Sequence, residues 1–157
     1  MSIRPNALAG FTLIELIMVM LLVGILAFAG LPRFIGIQVF NARGFYDRTI
    51  ETLRYAQKAA IAQHRDVYVN IDAGAGKICL SYVADAACSG GASTLYNPGD
   101  QNRFVQSAPA GAAFAASASF SFSALGRPNP NGVQVIGVVA DGATKNITVE
   151  RETGYVH

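Results

Sequence analysis

The residues Gly10-Phe11-Thr12-Leu13-Ile14-Glu15-Leu16 open the run FTLIELIMVMLLVGILAFAGLP, residues 11–32, in which Glu15 is the only charged residue. As a helix this run would measure on the order of 30 Å, the thickness of a bilayer's hydrocarbon core. The segment before it, MSIRPNALAG, is short and polar, with Arg4 as its only charge. Positive charge ahead of the run predicts a cytoplasmic N-terminus and a C-terminal domain on the far side of the membrane. The composition agrees with such a division. The whole chain is 52% hydrophobic and only 14% charged, an excess concentrated in residues 11–32, while the remainder has the balance of a soluble domain.

Glu15 is the residue that discriminates between readings of this run. A plain signal anchor explains the apolar length but not a carboxylate, which costs about 2.5–3.5 kcal/mol within a spanning helix unless it finds a partner or an interface. A cleavable secretory signal would use Ala27-Phe28-Ala29 as its A-x-A site, but the apolar run is long for that role, and Pro32 and Arg33 pass into a helical pattern without a break. Thr12-x-x-Glu15 also has the spacing of a capping box, which would give Glu15 a purely local role.

Gly10-Phe11-Thr12-Leu13-Ile14-Glu15-Leu16 resembles the processing site of type IV prepilins and pseudopilins. The match is specific because cleavage precedes the apolar core instead of following it. The resemblance implies that residues 1–10 are a leader, that prepilin peptidase cuts after Gly10, and that the new N-terminal Phe11 is N-methylated. Cutting creates a charged amine at Phe11, and the carboxylate of Glu15 can pair with that amine or a neighbouring subunit's. In a low-dielectric helix bundle such a pair offsets two otherwise costly charges. Glu15 is therefore the expected subunit-docking residue. Gly24 and Pro32 are expected to let the helix bend or loosen, by weak propensity and by a missing backbone donor.

Downstream, residues 33–66 continue as an amphipathic helix. Tyr46, Ile50, Leu53, Ala56 or Gln57, and Ala60 recur at helical spacing beside a charged stripe of Asp47, Glu51, Arg54 and Lys58. The tract Leu53–Gln63, with Arg43-Gly44-Phe45-Tyr46-Asp47, resembles the same region of MSHA-type minor pilins. After Arg65 the period changes to two. Strands are expected at Val67–Asp72, Lys77–Val83, Val133–Val139 and Lys145–Glu150, with Phe120 and Phe122 on one face of another and a further one at Thr153–Val156. Residues 84–118 read as a long Ala/Ser/Gly-rich connection with one short strand near Phe104–Gln106. The expected fold class is α+β: a long N-terminal helix, with a transmembrane half (11–32) and an amphipathic half (33–66), packed on a C-terminal antiparallel β-sheet (67–157). The pattern Phe122…Gly126-Arg127…Ile147-Thr148-Val149…Thr153-Gly154-Tyr155-Val156 resembles the domain shared by type II secretion minor pseudopilins and FimT-type minor pilins.

Cys79 and Cys88 are the only cysteines. In an exported domain they read as one local disulfide, in a cytosolic one as two separate buried thiols. Neither His64 nor His157 completes a metal-ligand set at a usual spacing, and no cofactor motif or catalytic constellation is present, so neither a cofactor nor an enzyme activity is expected. Without Arg4 the balance is 11 basic to 10 acidic residues. Arg127 is the one candidate nucleic-acid contact, and with Lys145 and Arg151 elsewhere in the sequence no basic cluster forms around it, so DNA is not the expected partner. The resemblance implies a minor pilin of an MSHA-like pilus that helps to prime assembly. Its expected partners are prepilin peptidase, major and minor pilin subunits and inner-membrane assembly proteins. Its expected location is the inner membrane as a single-pass protein with a periplasmic domain, then the filament. A type II secretion pseudopilin and a DNA-binding minor pilin are the alternatives.

Overall fold

The computed structural model describes residues 11–91, 93–140 and 142–157, apart from the side chains of residues 28–40 and 42. The chain falls into two compact units, Met1–Ile37 and Gln38–His157.

A single helix, α1, runs Leu13–Gln63. Thr12 starts it as an N-cap: its Oγ1 accepts the Glu15 N–H at 3.4 Å, and its carbonyl accepts the Leu16 N–H at 3.2 Å. Glu15 thus sits in the first turn, where a carboxylate complements the unpaired N–H groups of the helix start. The helix ends in a Schellman motif. The Arg65 N–H reaches back to Ala60 O (3.2 Å) and the His64 N–H to Ile61 O (3.3 Å). His64 supplies the left-handed turn residue at φ 49°, a place that glycine usually takes.

The expected transmembrane half is corrected. Among the described residues no helix is long and apolar enough to cross a membrane. The part of α1 whose apolar side chains are described, Leu13–Ala27, is about 22 Å long, short of the roughly 30 Å of a hydrocarbon core. The single-pass inner-membrane arrangement built on residues 11–32 is corrected with it.

In the second unit α1 buries Phe45, Thr49, Thr52, Leu53, Ala56, Ala59 and Ala60 on one stripe, with Tyr46 and Ile50 half-buried beside it. Asp47, Glu51, Arg54 and Lys58 face outward. The buried threonines are satisfied, one within the helix and one across to the strand Val105–Ser107: Thr49 Oγ1–H donates to Phe45 O at 2.8 Å and Thr52 Oγ1–H to Gln106 Oε1 at 3.0 Å.

Two antiparallel sheets cover that stripe, where a single one was expected. The strands are β1 (Val67–Asp72), β2 (Lys77–Ser81), β3 (Val105–Ser107), β4 (Ala112–Phe114), β5 (Ala118–Phe122), β6 (Pro128–Asn129), β7 (Gln134–Ala140) and β8 (Ala143–Val149). The first sheet has the order β3-β2-β1-β5-β6, and the second β4-β7-β8. The centre of the first is β1, whose Val69 pairs Leu80 on one side and Phe120 on the other. Val67, Val69, Ile71, Ile78, Leu80, Phe120 and Phe122 form its inner layer, and Phe114, Ile136, Val138, Ile147 and Val149 that of the second. Phe45 bridges helix and second sheet, its ring 5.2 Å from that of Phe114. The expected strand at Thr153–Val156 is reduced to one bridge, Val149 to Val156.

The chain's last residues are held by the helix. Arg54 Nη2 donates to Val156 O at 3.0 Å, and Gln57 Nε2 donates to both Gly126 O (3.1 Å) and Thr153 O (2.8 Å). At Gly154 (φ +66°) a Cβ would collide with the carbonyl of Gly126, so only glycine allows these two turns to meet.

The segment after β2 is fastened by a Cys79–Cys88 disulfide and by a fully buried Asn70. Asn70 Nδ2 donates to Ser81 Oγ (2.8 Å), while its Oδ1 accepts the Asp85 N–H (3.0 Å) and the Ser119 hydroxyl (2.7 Å). One side chain thus ties β1, β2, β5 and the loop together.

Two outcomes test this account by urea unfolding. Replacing His64→Gly is expected to stabilise the chain by about 0.5–1 kcal/mol, by relieving the left-handed turn. The double replacement Cys79→Ala/Cys88→Ala is expected to cost about 2–3 kcal/mol, the value for closing so short a loop. No loss in the second variant would show that Asn70 alone holds the segment.

A candidate docking helix

Every residue from Phe11 to Ala27 is exposed in the single chain. The stretch displays thirteen large apolar side chains, among them Phe11 and Leu13 at 78% exposure, and they point to all sides of α1. A surface helix hides one apolar stripe and presents a polar face to water. This one has no polar face. Leaving each such side chain in water costs about 1.5–3 kcal/mol, so the stretch is built to be surrounded. Its one charge, Glu15, forms no ion pair among the described residues. Gly24 lies within the same stretch, and a Cβ there would meet nothing within 4 Å. Gly10 lies outside the described residues, as does the side chain of Pro32.

The remaining expected site residues lie in the second unit. Cys79 and Cys88 are bonded to each other and largely buried. Next to them the Asp85 carboxyl is held below its ordinary range, chiefly by the Ser89 N–H, with the Ser89 hydroxyl and the Gly90 N–H adding to it. Burial, with the neighbouring Tyr82, pushes the Tyr55 hydroxyl up.

Arg127 sits exposed on the Ser123–Arg127 turn between β5 and β6, its N–H on Ser123 Oγ at 3.3 Å. The other two cations considered with it are engaged on different elements. Arg151 pairs with Glu152 at 2.9 Å, and Lys145 lies over the Tyr46 ring at 5.7 Å. Among the described residues no three His, Cys, Asp or Glu side chains gather as metal ligands. His64 serves the helix end, and His157 Nε2 lies 3.1 Å from Glu150 Oε1.

Asn70, Gln57 and Gly154 were not singled out from sequence as organising residues. The one available signal was the recurrence of Gly126-Arg127 and Thr153-Gly154 in a pattern resembling pseudopilins, which marks two turns but not their contact.

No protein-family profile matches the chain, and no curated protein matches it. Similar solved structures do exist. The type IV minor pilin FimU of Pseudomonas aeruginosa is 13% identical in one crystal form, covering 78% of this chain and 87% of that one, at a TM-score of 0.55. A second crystal form of FimU gives 12% identity, 71% and 86% coverage, and a TM-score of 0.53. The minor pseudopilin EpsH of the Vibrio cholerae type 2 secretion system is 11% identical, covering 74% of this chain and 94% of that one, at a TM-score of 0.55. At such identities the likeness is one of architecture. This chain therefore has an α+β pilin-like fold, similar in architecture to FimU and EpsH.

Proposed function

We propose that this chain is a minor pilin, most like the MSHA class, acting as a structural and assembly-priming subunit of a type IV pilus. The observation that carries the reading is the exposed apolar stretch Phe11–Ala27 with a single carboxylate in its first turn. In a filament, like stretches from neighbouring subunits would surround one another and remove that surface from water. A cut after Gly10 by prepilin peptidase would place a charged amine at Phe11, four residues from Glu15, and N-methylation would keep that amine cationic. Glu15 then docks one subunit on the amine of the next, or on its own, and a pair enclosed by apolar helices fixes the axial register. Gly24 and Pro32 supply the points at which the helix adjusts on packing. The partners are prepilin peptidase, other pilin subunits and the pilus assembly machinery.

The likeness to EpsH favours a second reading, a pseudopilin of type II secretion, at the same TM-score as FimU. The two share their chemistry and differ in output. Deleting the gene removes pili under the first reading and blocks export of a secreted enzyme under the second. DNA binding through Arg127 has less support, since that residue has no second free cation beside it among the residues considered.

The intact mass of the mature N-terminal fragment, taken from cells, is expected to lack residues 1–10 and to carry one added methyl. A fragment that begins at Met1, or after Ala29, would sink the reading. Replacing Glu15→Ala in the full chain is expected to reduce its co-purification with pilin subunits about tenfold or more, a loss of at least about 1.4 kcal/mol. Circular dichroism of the folded domain should stay unchanged. Unaltered assembly in that variant would remove the docking role.

A further inference from the structure

The outer edge of β3 is open. Leu80 N–H bonds to Phe104 O (3.1 Å) and Ala108 N–H to Gly76 O (2.7 Å), so Phe104, Gln106 and Ala108 address β2. Alternation then turns the backbone of Val105 and Ser107 away from the sheet. The Val105 N–H is taken by Arg103 O at 2.8 Å. The Val105 carbonyl and both backbone groups of Ser107 have no hydrogen bond among the described residues. Edge strands are commonly blunted by shortness, charge, proline or a bulge, and β3 is short, with Arg103 before it and Pro109 after it. The side chains of Val105, Gln106 and Ser107 carry no charge.

Two hollows flank this edge, and α1 forms a wall of each. One of about 410 Å³ lies against Arg48, Thr52, Tyr55, Val105 and Gln106. The other, about 150 Å³, lies against Asn41, Phe45, Arg48 and Ser107. Arg48 belongs to both and forms no ion pair among the described residues. In the larger hollow Gln106 spends its Oε1 on Thr52, while its Nε2 is buried without a hydrogen-bond partner. The helix face from Asn41 to Tyr55 is about 21 Å long, the length of about six residues of extended chain.

We propose that the β3 edge and the adjoining face of α1 form a docking groove for an extended segment of a different protein, which adds a sixth strand to the sheet and places one carboxylate on Arg48. The backbone of that segment meets the open groups of Val105 and Ser107. One acid suits the site and a run of acids does not, because Glu51 and Asp100 stand with Arg103 around the larger hollow. A second copy of this chain is a poor donor. Among its described strands only β1 carries a carboxylate, Asp72, and β1 is paired on both sides. The groove does not depend on the filament reading.

The test uses the full chain and three seven-residue peptides with blocked ends: TVTETVT, TVTKTVT, and TVTETVT with alternate backbone nitrogens methylated. Fluorescence anisotropy gives affinity, and amide exchange reports on Ser107. The acidic peptide is expected to bind and to slow exchange at Ser107 about tenfold or more. The lysine peptide is expected to bind about tenfold more weakly, and the methylated one not detectably. Replacing the exposed Arg48→Gln should abolish the preference for the acidic peptide while leaving sensitivity to methylation. Equal binding of the acidic and lysine peptides, unchanged exchange at Ser107, or no binding at millimolar peptide would each overturn the proposal. So would self-association that the peptide dissolves, which would assign the groove to a second copy. None of these results bears on N-terminal processing or on Glu15.

Discussion

The burial of Leu53, Ala56 and Ala60, all fully removed from solvent on one stripe of α1, is the constraint that organises the second unit. Small residues at Ala56, Ala59 and Ala60 let backbone layers come close, and the stripe is wide enough to be shared by two sheets. The first sheet brings β1 and β5 over it with Val67, Val69, Phe120 and Phe122. The second brings β7 and β8 with Ile136, Val138, Ile147 and Val149. Neither sheet buries its inner layer alone, so the helix serves both as core and as the element that positions one sheet beside the other. Most polar groups in this interior are matched, the exceptions among the described residues being Gln106 Nε2 and Ser121 Oγ. Thr49, Thr52 and Asn70 are each buried with hydrogen bonds to named partners.

Much of this was legible in the sequence, for reasons that can be stated residue by residue. The helical repeat through Leu53, Ala56 and Ala60 and the alternation in Val67–Asp72 are strong periodic signals, and the structure follows them. The buried stripe nonetheless runs through Phe45, Thr49 and Thr52, rotated from the expected Tyr46 and Ile50. Hydropathy ranks Thr below Ile, and it does not anticipate a hydroxyl satisfied by Phe45 O or Gln106 Oε1. The strand β4 was hidden because Ala112-Ala113-Phe114 lies in Ala/Ser/Gly-rich sequence and owes its pairing to β7, a tertiary effect. The second sheet was missed with it. That His64 lies at an exposed helix end was legible from its place between Gln63 and Arg65, but its left-handed turn was not, since the Schellman bonds impose it and not the residue type. The spanning helix was overread from a count of apolar letters. Of the candidate site, Glu15 and the cysteine pair were visible, but Asn70 and the contact of Gly126 with Gly154 depend on which loops meet.

The two units differ in how they treat water. The second hides its apolar surface by its own folding and presents a nearly balanced set of charges. The first shows apolar side chains on every side and has one carboxylate to offer. A chain built this way gains little from its N-terminal stretch in isolation. That stretch acquires a thermodynamic role only among other surfaces of its kind, where the hydrophobic effect is non-directional and a single charge must supply the register.

The hydrogen bond from Arg54 to Val156 spans about two thirds of the chain. Its consequence concerns time. The β1–β2 hairpin and the Cys79–Cys88 loop involve near neighbours and can assemble while the chain is still being made, but the helical stripe is only partly covered until the second sheet and the final residues arrive. Contacts so distant in sequence slow folding and prolong the exposure of apolar surface. The nascent chain must therefore cross its most aggregation-prone interval with the helix complete and its roof unfinished, which makes this domain a natural client for whatever holds unfolded chains apart in its compartment.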